Sequence, residues 1–218
     1  MWAGVINTSI IYRGAEAEIF LSTYLKYKVI KKMRVTKRYR IKKIDDCLIS
    51  SRTKGEAKLI IDARKNGVPV PIIYDVDTKK GIITMDYIDG DRVKDIFNDL
   101  SKKNRINICK KIGINIAKLH NNNIIHGDLT TSNMILSDDR IYFIDFGLGE
   151  KNNEIETKGV DLHVLMEAIE STHSKYSDYF NYVLEGYKQE LKGNPNLVIQ
   201  KIEEIVKRGR YRWKQYIS

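Results

Sequence analysis

The sequence predicts an α+β protein of two lobes, a β-rich N-terminal lobe over residues 1–88 and a helical C-terminal lobe over residues 89–218. Two observations support this prediction. In the first lobe, short apolar runs alternate with turn residues, and one long helical pattern interrupts them. In the second lobe, apolar residues recur at intervals of three and four, which is typical of helices. Because the lobes join near residues 87–90, we expect a ligand to bind in the cleft between them.

The N-terminal lobe is predicted to begin with three strands. Residues 5–22 form two strands around a turn at Arg13 and Gly14, and residues 24–33 form a third strand. A helix and two more strands complete the lobe over residues 44–66, 71–77 and 81–88.

The C-terminal lobe is predicted to begin with a helix whose apolar stripe contains Ile106, Cys109, Ile112, Ile116 and Leu119. Two brief strands and three helices follow, over residues 134–136, 141–145, 160–171, 176–191 and 197–207. We expect the last helix to end near Val206. The cations beyond it would then extend freely: Lys207, Arg208, Arg210, Arg212 and Lys214.

The composition is that of an ordered cytoplasmic protein. With 42% hydrophobic and 30% charged residues among 218, the chain can bury a substantial core. Its sequence contains no apolar run long enough to span a bilayer and no secretory signal, so we expect neither a membrane protein nor a secreted one. Cys47 and Cys109 stand apart without metal-ligand spacing, which favours reduced thiols.

The net charge of +10 is the first indication of a partner. Lysines and arginines concentrate in residues 28–43 and 207–214, where tyrosines and a tryptophan lie between them. Such a surface suits RNA or another polyanion, including nucleotide phosphates. A solvated, lysine-rich surface would have the same composition, and the charge by itself does not decide between the two.

The most specific pattern is His126-Gly127-Asp128, then Asn133, then Asp145-Phe146-Gly147. Phosphoryl transfer needs oxygen ligands for Mg²⁺, a carboxylate beside the attacking group and a cation on the phosphates. The order and spacing resemble the catalytic loop and the Asp-Phe-Gly element of the protein-kinase-like fold. By that resemblance Asp128 is the catalytic base, and Asn133 and Asp145 hold the metal. A hairpin with Asx turns would explain any one of these residues, but poorly explains all of them together.

Upstream residues supply candidates for the rest of such a site. Lys31 and Lys32 could each be the phosphate-binding lysine, and either could instead be an ordinary exposed strand lysine. Glu56 lies on the predicted helix where a carboxylate pairing with that lysine is expected. Downstream, Asp161 resembles the buried aspartate that braces the catalytic loop, although it could also cap a helix.

The segment around Met85 resembles the hinge of a kinase, with Met85 as gatekeeper and backbone groups of Asp86 to Ile88 for adenine. An edge strand running into a turn is the plainer interpretation. The nucleotide loop is only Gly14-Ala15-Glu16, with Glu16 in place of a glycine. Fourteen residues separate Phe146 from Asp161, without an Ala-Pro-Glu motif, so no standard activation segment or peptide platform fits.

Nearly the whole chain, from about Gly14 to Arg210, is similar to one family: the minimal RIO-like kinase subunit of the KEOPS complex. That complex makes the threonylcarbamoyl modification of adenosine 37 in tRNA. The most specific shared elements are the basic nonapeptide KMRVTKRYR (32–40) and the VKRGR segment (206–210). The register of the nonapeptide favours Lys32 over Lys31. Gly159 and His163 replace the usual Ala and Tyr.

The resemblance implies a minimal bilobal kinase with ATP and Mg²⁺, Ser/Thr autophosphorylation and mainly ATPase activity in its complex. The implied nucleotide-binding residues are Gly14, Ala15, Glu16, Lys32, Glu56, Met85, Asp86 and Ile88. The implied partners are an ASKHA-fold threonylcarbamoyltransferase subunit on the C-lobe, a small accessory subunit on the N-lobe, and tRNA on the basic N-lobe and tail. Two alternatives are a small-molecule kinase like the aminoglycoside phosphotransferases and a non-catalytic tRNA- or partner-binding subunit.

Overall fold

The computed structural model of the chain describes residues 9–14, 16–37 and 40–215, with the backbone alone from residue 209 onward. The N-terminal elements are β1 (Ser9–Arg13), β2 (Ala17–Tyr24), β3 (Tyr27–Arg34), α1 (Lys42–Lys65), β4 (Ile73–Asp77) and β5 (Ile82–Asp86). The strands form one antiparallel sheet in the order β1-β2-β3-β5-β4. The predicted order of strands and helix is confirmed, and predicted strand residues 5–8 lie outside the described residues.

Helix α1 ends where Gly67 adopts a left-handed backbone with φ +74, a conformation that favours glycine and stops a helix. The amides of Asn66 and Gly67 bond back to the carbonyls of Asp62 and Arg64, which satisfies the helix end. One face of the helix is buried: Ile49, Thr53, Glu56, Leu59, Ile60 and Ala63. Because this face includes Glu56, the helix carries a carboxylate into the protein interior.

The C-terminal elements are β6 (Asp91–Arg92), α2 (Val93–Ile96), α3 (Lys102–Asn121), β7 (Ile124–Ile125), β8 (Met134–Ser137), β9 (Arg140–Phe143), β10 (Glu150–Lys151), α4 (Ile155–Thr172), α5 (Phe180–Glu190) and α6 (Pro195–Gln215). Strands β6, β8 and β9 form one small sheet, and β7 pairs with β10. The division into a β-rich part and a helical part agrees with the sequence, while the boundary at residue 88 stays a prediction. In the described part of the chain, we find no helix with the length and apolarity to cross a membrane.

One hydrophobic core continues from α1 into the C-terminal part. Leu59, Ile60 and Ala63 of α1 pack in the same buried cluster as the apolar stripe of α3 and the interior of α4 and α5. The amide of Phe143 in β9 also bonds to the carbonyl of Pro69, at 2.9 Å. Since α1 is embedded in this shared core, its Glu56 has a fixed position relative to the strands β8 and β9.

Helices α3 and α5 approach each other closely at two glycines. A Cβ atom on Gly113 would lie 1.9 Å from the carbonyl oxygen of Val183, and one on Gly186 would lie 2.1 Å from that of Lys110. Both distances are far shorter than a carbon–oxygen contact allows. The absence of side chains at these positions therefore sets the distance between the two helices.

The helix predicted over residues 176–191 begins later than predicted. Residues Ser174–Tyr179 form a 3₁₀ segment, and Tyr176 departs from helical geometry with φ −128. The ring of Tyr176 lies over the guanidinium of Arg105, 3.7 Å away, and packs edge-on against Phe97. These tertiary contacts replace the first turn of the predicted helix.

The prediction that the last helix ends near Val206 is wrong. Helix α6 continues to Gln215, so the basic segment is helical and does not extend freely. Lysine and arginine are good helix formers, which permits the extension. Arg208 also bonds to Glu156 at the start of α4, at 2.5 Å, and Lys201 bonds to the same carboxylate at 3.1 Å.

We predict that Gly113→Ala destabilises the protein by at least about 2 kcal/mol, because the added methyl group must push α5 away. Gly55→Ala is the matched control, since Gly55 is exposed in α1 and a Cβ added there would meet nothing within 4 Å beyond the helix itself. That control should stabilise the protein by about 0.5–1 kcal/mol through helix propensity. Urea unfolding followed by circular dichroism measures both changes, and equal effects would contradict the close helix contact.

Candidate active site

Three charged side chains meet where the β-rich and helical parts of the chain join, and we call this junction the cleft. Lys32 Nζ lies 2.6 Å from Oε1 of Glu56 and 2.6 Å from Oδ1 of Asp145. Alternate residues of a strand face the same side of a sheet, so Lys31 points away from the side on which Lys32 lies. The structure therefore brings Lys32, rather than Lys31, together with Glu56 and Asp145.

Arg34 belongs to the same cluster, although sequence reasoning gave it no role. Its Nη2 lies 2.5 Å from Oε2 of Glu56, and its side chain is only 6% exposed. One buried carboxylate is therefore shared by two cations, with one cation on each oxygen. The signal was present in the sequence, because a Lys-x-Arg spacing in a strand places both side chains on one face.

The charges of this cluster keep each other ionised. Burial lowers the pKa of Lys32, but the carboxylates of Glu56 and Asp145 outweigh burial and raise it above the ordinary value for lysine. Burial likewise opposes the ionisation of Asp145, and the charge and hydrogen bond of Lys32 reverse this, so that the pKa of Asp145 is lowered. Lys32 is thus a cation and Asp145 an anion at neutral pH.

Asp145 has a left-handed backbone with φ +65, which is uncommon for a residue other than glycine. Its Oδ1 accepts a hydrogen bond from the amide of Gly147 at 3.1 Å, a local contact through which aspartate tolerates this conformation. The turn directs the carboxylate into the cleft, toward Lys32.

The predicted catalytic loop places Asp128 and Asn133 side by side. Asn133 Nδ2 donates to Oδ2 of Asp128 at 2.8 Å and to its carbonyl at 3.0 Å. His126 joins this loop to the Asp145 turn: its Nε2 donates to the carbonyl of Ile144, at 3.1 Å, and its Nδ1 accepts from the amide of Asp128, at 3.3 Å. Burial lowers the pKa of His126, which agrees with the neutral ring that these two bonds require.

Asp161 of α4 holds the catalytic loop through its backbone amides. Its carboxylate accepts the amides of His126 and Gly127, both at 2.9 Å, and the Nε2 of His120 at 3.2 Å. The other nitrogen of His120 accepts from the hydroxyl of Tyr187, at 2.9 Å. Asp161 lies inside α4 and is buried, so the alternative interpretation as a helix cap is wrong.

The backbone conformation and the tight packing at position 127 explain why a glycine lies between His126 and Asp128. The backbone of Gly127 is left-handed, with φ +79, and a Cβ would lie 2.3 Å from the carbonyl oxygen of Leu148. The segment after Asp145 therefore lies directly on the catalytic loop, and its residues Glu150 and Lys151 pair with β7. This path replaces the activation segment that the sequence lacks.

The predicted nucleotide loop and hinge belong to the N-terminal sheet, at the turn between β1 and β2 and at the end of β5. Gly14 donates to the carbonyl of Ala17 at 2.9 Å, and the carbonyl of Glu16 accepts from Val35 at 3.0 Å. The Glu16 carboxylate lies 3.2 Å from Arg52 of α1 and 4.0 Å from Arg34. Ala15 lies outside the described residues.

In the hinge, Met85 is buried at the end of β5. The amide of Asp86 bonds to the carbonyl of Ile72 at 2.9 Å, and the amide of Tyr87 bonds to that of Lys28 at 3.3 Å. The Asp86 carboxylate accepts from the amide of Ile72 at 3.1 Å. The amides of Asp86 and Tyr87 thus already have partners within the protein, and the backbone groups of Asp86 to Ile88 stay the predicted contacts of adenine.

Asn133 and Asp145 fit the requirements of Mg²⁺. They offer an amide oxygen and a carboxylate, and the Asp145 side chain is 48% exposed, so both are available from the cleft. No cluster of three His, Cys, Asp or Glu side chains is arranged as a metal site among the described residues. Because Mg²⁺ usually takes its other ligands from phosphates and water, two protein ligands suit a cation that binds together with a nucleotide.

The β-rich part, the helical part and the charged residues between them give this protein the fold of the kinase-like class. The Rio2 kinase of Chaetomium thermophilum, solved as an ADP/Mg²⁺-phosphoaspartate complex, has a TM-score of 0.66 and 14% identity and covers 95% of this chain and 71% of that one. Amicoumacin kinase hAmiN has a TM-score of 0.61 and 13% identity over 86% of this chain and 73% of that one. At these identities the likeness establishes the fold, and the predicted bilobal kinase-like fold is confirmed.

The RIO domain family model matches residues 16–151. KEOPS complex subunit Bud32 of Pyrococcus abyssi is 47% identical over 219 residues, covering 96% of this chain and 99% of that protein. A relative in Methanobrevibacter smithii, named a probable bifunctional tRNA threonylcarbamoyladenosine biosynthesis protein, is 44% identical over 93% of this chain. The chain spans only 37% of that relative's length. The chain belongs to the RIO domain family and, within it, to the family of the KEOPS subunit Bud32.

We predict that stability falls as the pH decreases below about 6.5, through His126 and His173. Burial lowers the pKa of both rings in the folded protein, with Lys94 adding to the effect on His173. The unfolded chain therefore binds protons near pH 6.5 that the folded protein does not bind. This difference lowers the free energy of unfolding by up to about 1.4 kcal/mol per pH unit for each histidine. The stabilisation is complete above that pH and is lost as the pH falls toward the folded values.

Urea unfolding at several pH values measures this slope, and nuclear magnetic resonance titration of the rings checks its origin. His173→Gln is the informative variant, because glutamine can still bond to Thr131 or Asn98, which hold the ring at 3.1 and 2.9 Å. This variant should lose about half of the slope. An unchanged slope would exclude His173 as a source.

Proposed function

We propose that the protein is an atypical Ser/Thr kinase and ATPase that uses ATP and Mg²⁺ in the cleft. The observation that supports this most strongly is the joining of Lys32, Glu56 and Asp145 across the two lobes, together with the pairing of Asp128 and Asn133 in the catalytic loop. A cation for the phosphates, a base for the nucleophile and oxygen ligands for a metal are the parts that phosphoryl transfer requires.

The roles follow from the positions. Lys32 would bind the phosphates, and Asp128 would orient the attacking hydroxyl or water and accept its proton. Asn133 and Asp145 would hold Mg²⁺. When bound, the metal neutralises negative charge on the transferring phosphoryl group. The bond between Asn133 and Asp128 fixes the base beside the metal ligands before any substrate binds.

Adenine would bind at the hinge, behind Met85. Of the three hinge amides, those of Asp86 and Tyr87 already have carbonyl partners, so the amide of Ile88 is the proposed donor to the base. The backbone of Gly14 and Glu16, in the nucleotide loop between β1 and β2, would cover the bound nucleotide. The Glu16 carboxylate points instead toward arginines, so a side-chain contact with the nucleotide is not part of the proposal.

The substrate would not be a generic peptide. The segment after Asp145 runs directly onto the catalytic loop at Gly127, which leaves no activation segment to hold a peptide. Hydrolysis of ATP and autophosphorylation on Ser or Thr are the reactions that this arrangement favours.

Membership of the Bud32 family supports a role for this activity in tRNA modification. Because a KEOPS subunit is 47% identical over almost the full length of both chains, we propose that this protein supports threonylcarbamoylation of tRNA in the cytoplasm as such a subunit. Its C-lobe would bind the ASKHA-fold transferase subunit, and its N-lobe would bind a small accessory subunit. The basic N-lobe and the basic end of α6 would contact the tRNA phosphates.

We predict that Asp128→Asn and Asp145→Asn each reduce Mg²⁺-dependent ATP turnover at least about 100-fold, since each removes a charge that acts on the reacting phosphoryl group. Asp138→Asn is the control, because Asp138 lies in the turn after β8, away from the cleft residues. Turnover is measured by phosphate release, and folding by circular dichroism. Near-normal turnover in a folded Asp128 or Asp145 variant would disprove the proposed site.

We predict that the basic end of α6 contributes to tRNA binding. Replacing Lys207, Arg210, Arg212 and Lys214 with glutamine should weaken binding and reduce its salt dependence, by about 0.7–0.9 in the logarithmic slope for each phosphate that is no longer neutralised. Arg208 is left in place because it bonds to Glu156. The control replaces four lysines elsewhere in the C-lobe: Lys102, Lys103, Lys188 and Lys192. Titrations at several salt concentrations that give both variants the same slope would exclude a specific role for α6.

A further inference from the structure

We propose that Arg34 is a positioning residue of the phosphate site: by neutralising Glu56, it leaves the charge of Lys32 available to the phosphates of a nucleotide. The inference rests on the nucleotide site proposed above. It concerns a residue that touches the carboxylate behind Lys32, and it assigns Arg34 no contact with the substrate.

The geometry makes Glu56 a carboxylate with two competing cations. Lys32 holds Oε1 at 2.6 Å and Arg34 holds Oε2 at 2.5 Å. All three side chains are buried, with 7% of Lys32, 6% of Arg34 and 1% of Glu56 exposed. In such surroundings solvent screens little, so the count of charges determines how strongly each pair is held.

The number of charges around Glu56 explains how Arg34 would affect Lys32. Lys32, Arg34 and Glu56 together carry one net positive charge, which Asp145 compensates through its bond to Lys32. Without Arg34, Lys32 and Glu56 would form a neutral pair. Lys32 would then be the only cation on a buried carboxylate, and an incoming phosphate would have to compete with that carboxylate for it.

Arg34 also faces the cleft rather than the solvent. Its Nη2 lies 3.6 Å from the point that a Cβ on Gly147 would occupy, and Lys32 Nζ lies 3.5 Å from the same point. Both cations thus flank the turn that contains Asp145. Among the described residues, the buried Nε of Arg34 has no hydrogen-bond partner, so the guanidinium is held by its terminal nitrogens alone.

The test compares MgADP and adenosine binding by calorimetry in Arg34→Met, Lys32→Met and the double variant. Arg34→Met should weaken MgADP about tenfold, as expected for losing one charge-assisted interaction, and should leave adenosine within about twofold. Because Arg34 acts through Lys32, its substitution should have no further effect in the Lys32→Met background. Arg34→Lys should restore part of the MgADP affinity.

Arg105→Met is the matched control. Arg105 is also buried with a partnerless Nε among the described residues, but it contacts the carbonyl of Leu100 and the ring of Tyr176, away from the cleft. This variant should keep MgADP affinity whatever it does to stability. It separates the loss of a buried arginine in general from the loss of Arg34.

Three results would overturn the inference. The first is an equal loss of adenosine and MgADP affinity in Arg34→Met, and the second is an undiminished effect of that change in the Lys32→Met background. The third is failure of both Arg34→Met and Arg34→Lys to fold, which would make Arg34 a purely structural residue. If Lys32→Met itself leaves MgADP binding unchanged, the proposed nucleotide site fails instead.

Discussion

The cleft depends on the burial of one carboxylate, that of Glu56. A buried charge is costly unless it is paired, so the fold must bring cations to it. Strand β3 supplies two, Lys32 and Arg34, and Lys32 reaches across to Asp145 of the other lobe. The sheet, helix α1 and the turn after β9 are therefore linked by this charge cluster, in addition to the hydrophobic core that they share.

A second buried carboxylate, Asp161, supports the catalytic loop, but with a different kind of partner. It accepts two backbone amides and a histidine nitrogen. Backbone amides cannot leave without breaking the loop, whereas Lys32 can exchange one anion for another. Asp161 thus provides a fixed support for Asp128, and Glu56 a site whose cation remains free to change partners.

Much of the fold and of the candidate site could be predicted from the sequence, and the wrong predictions have a common cause. Asp128, Asn133 and Asp145 lie close together in the chain, so their spacing alone indicated a site. The length of α6 and the late start of α5 were predicted wrongly because they depend on distant contacts: Arg208 with Glu156 and Tyr176 with Arg105. Arg34 was overlooked because its partner Glu56 comes from another element, and only the pairing gives the arginine a role.

The partners of Lys32 bear on how a nucleotide can bind. Asp145 holds Lys32 through Oδ1 at 2.6 Å, so its negative charge is already shared with Lys32 when a metal approaches, and Lys32 cannot give its full charge to a phosphate while it is bonded to Asp145. If Lys32 moved to a phosphate alone, Asp145 would lose its cation, and if Asp145 turned to a metal alone, Lys32 would lose an anion. Both charges stay compensated only when the two exchanges occur together. The cluster therefore favours a nucleotide that arrives with its cation over either one alone.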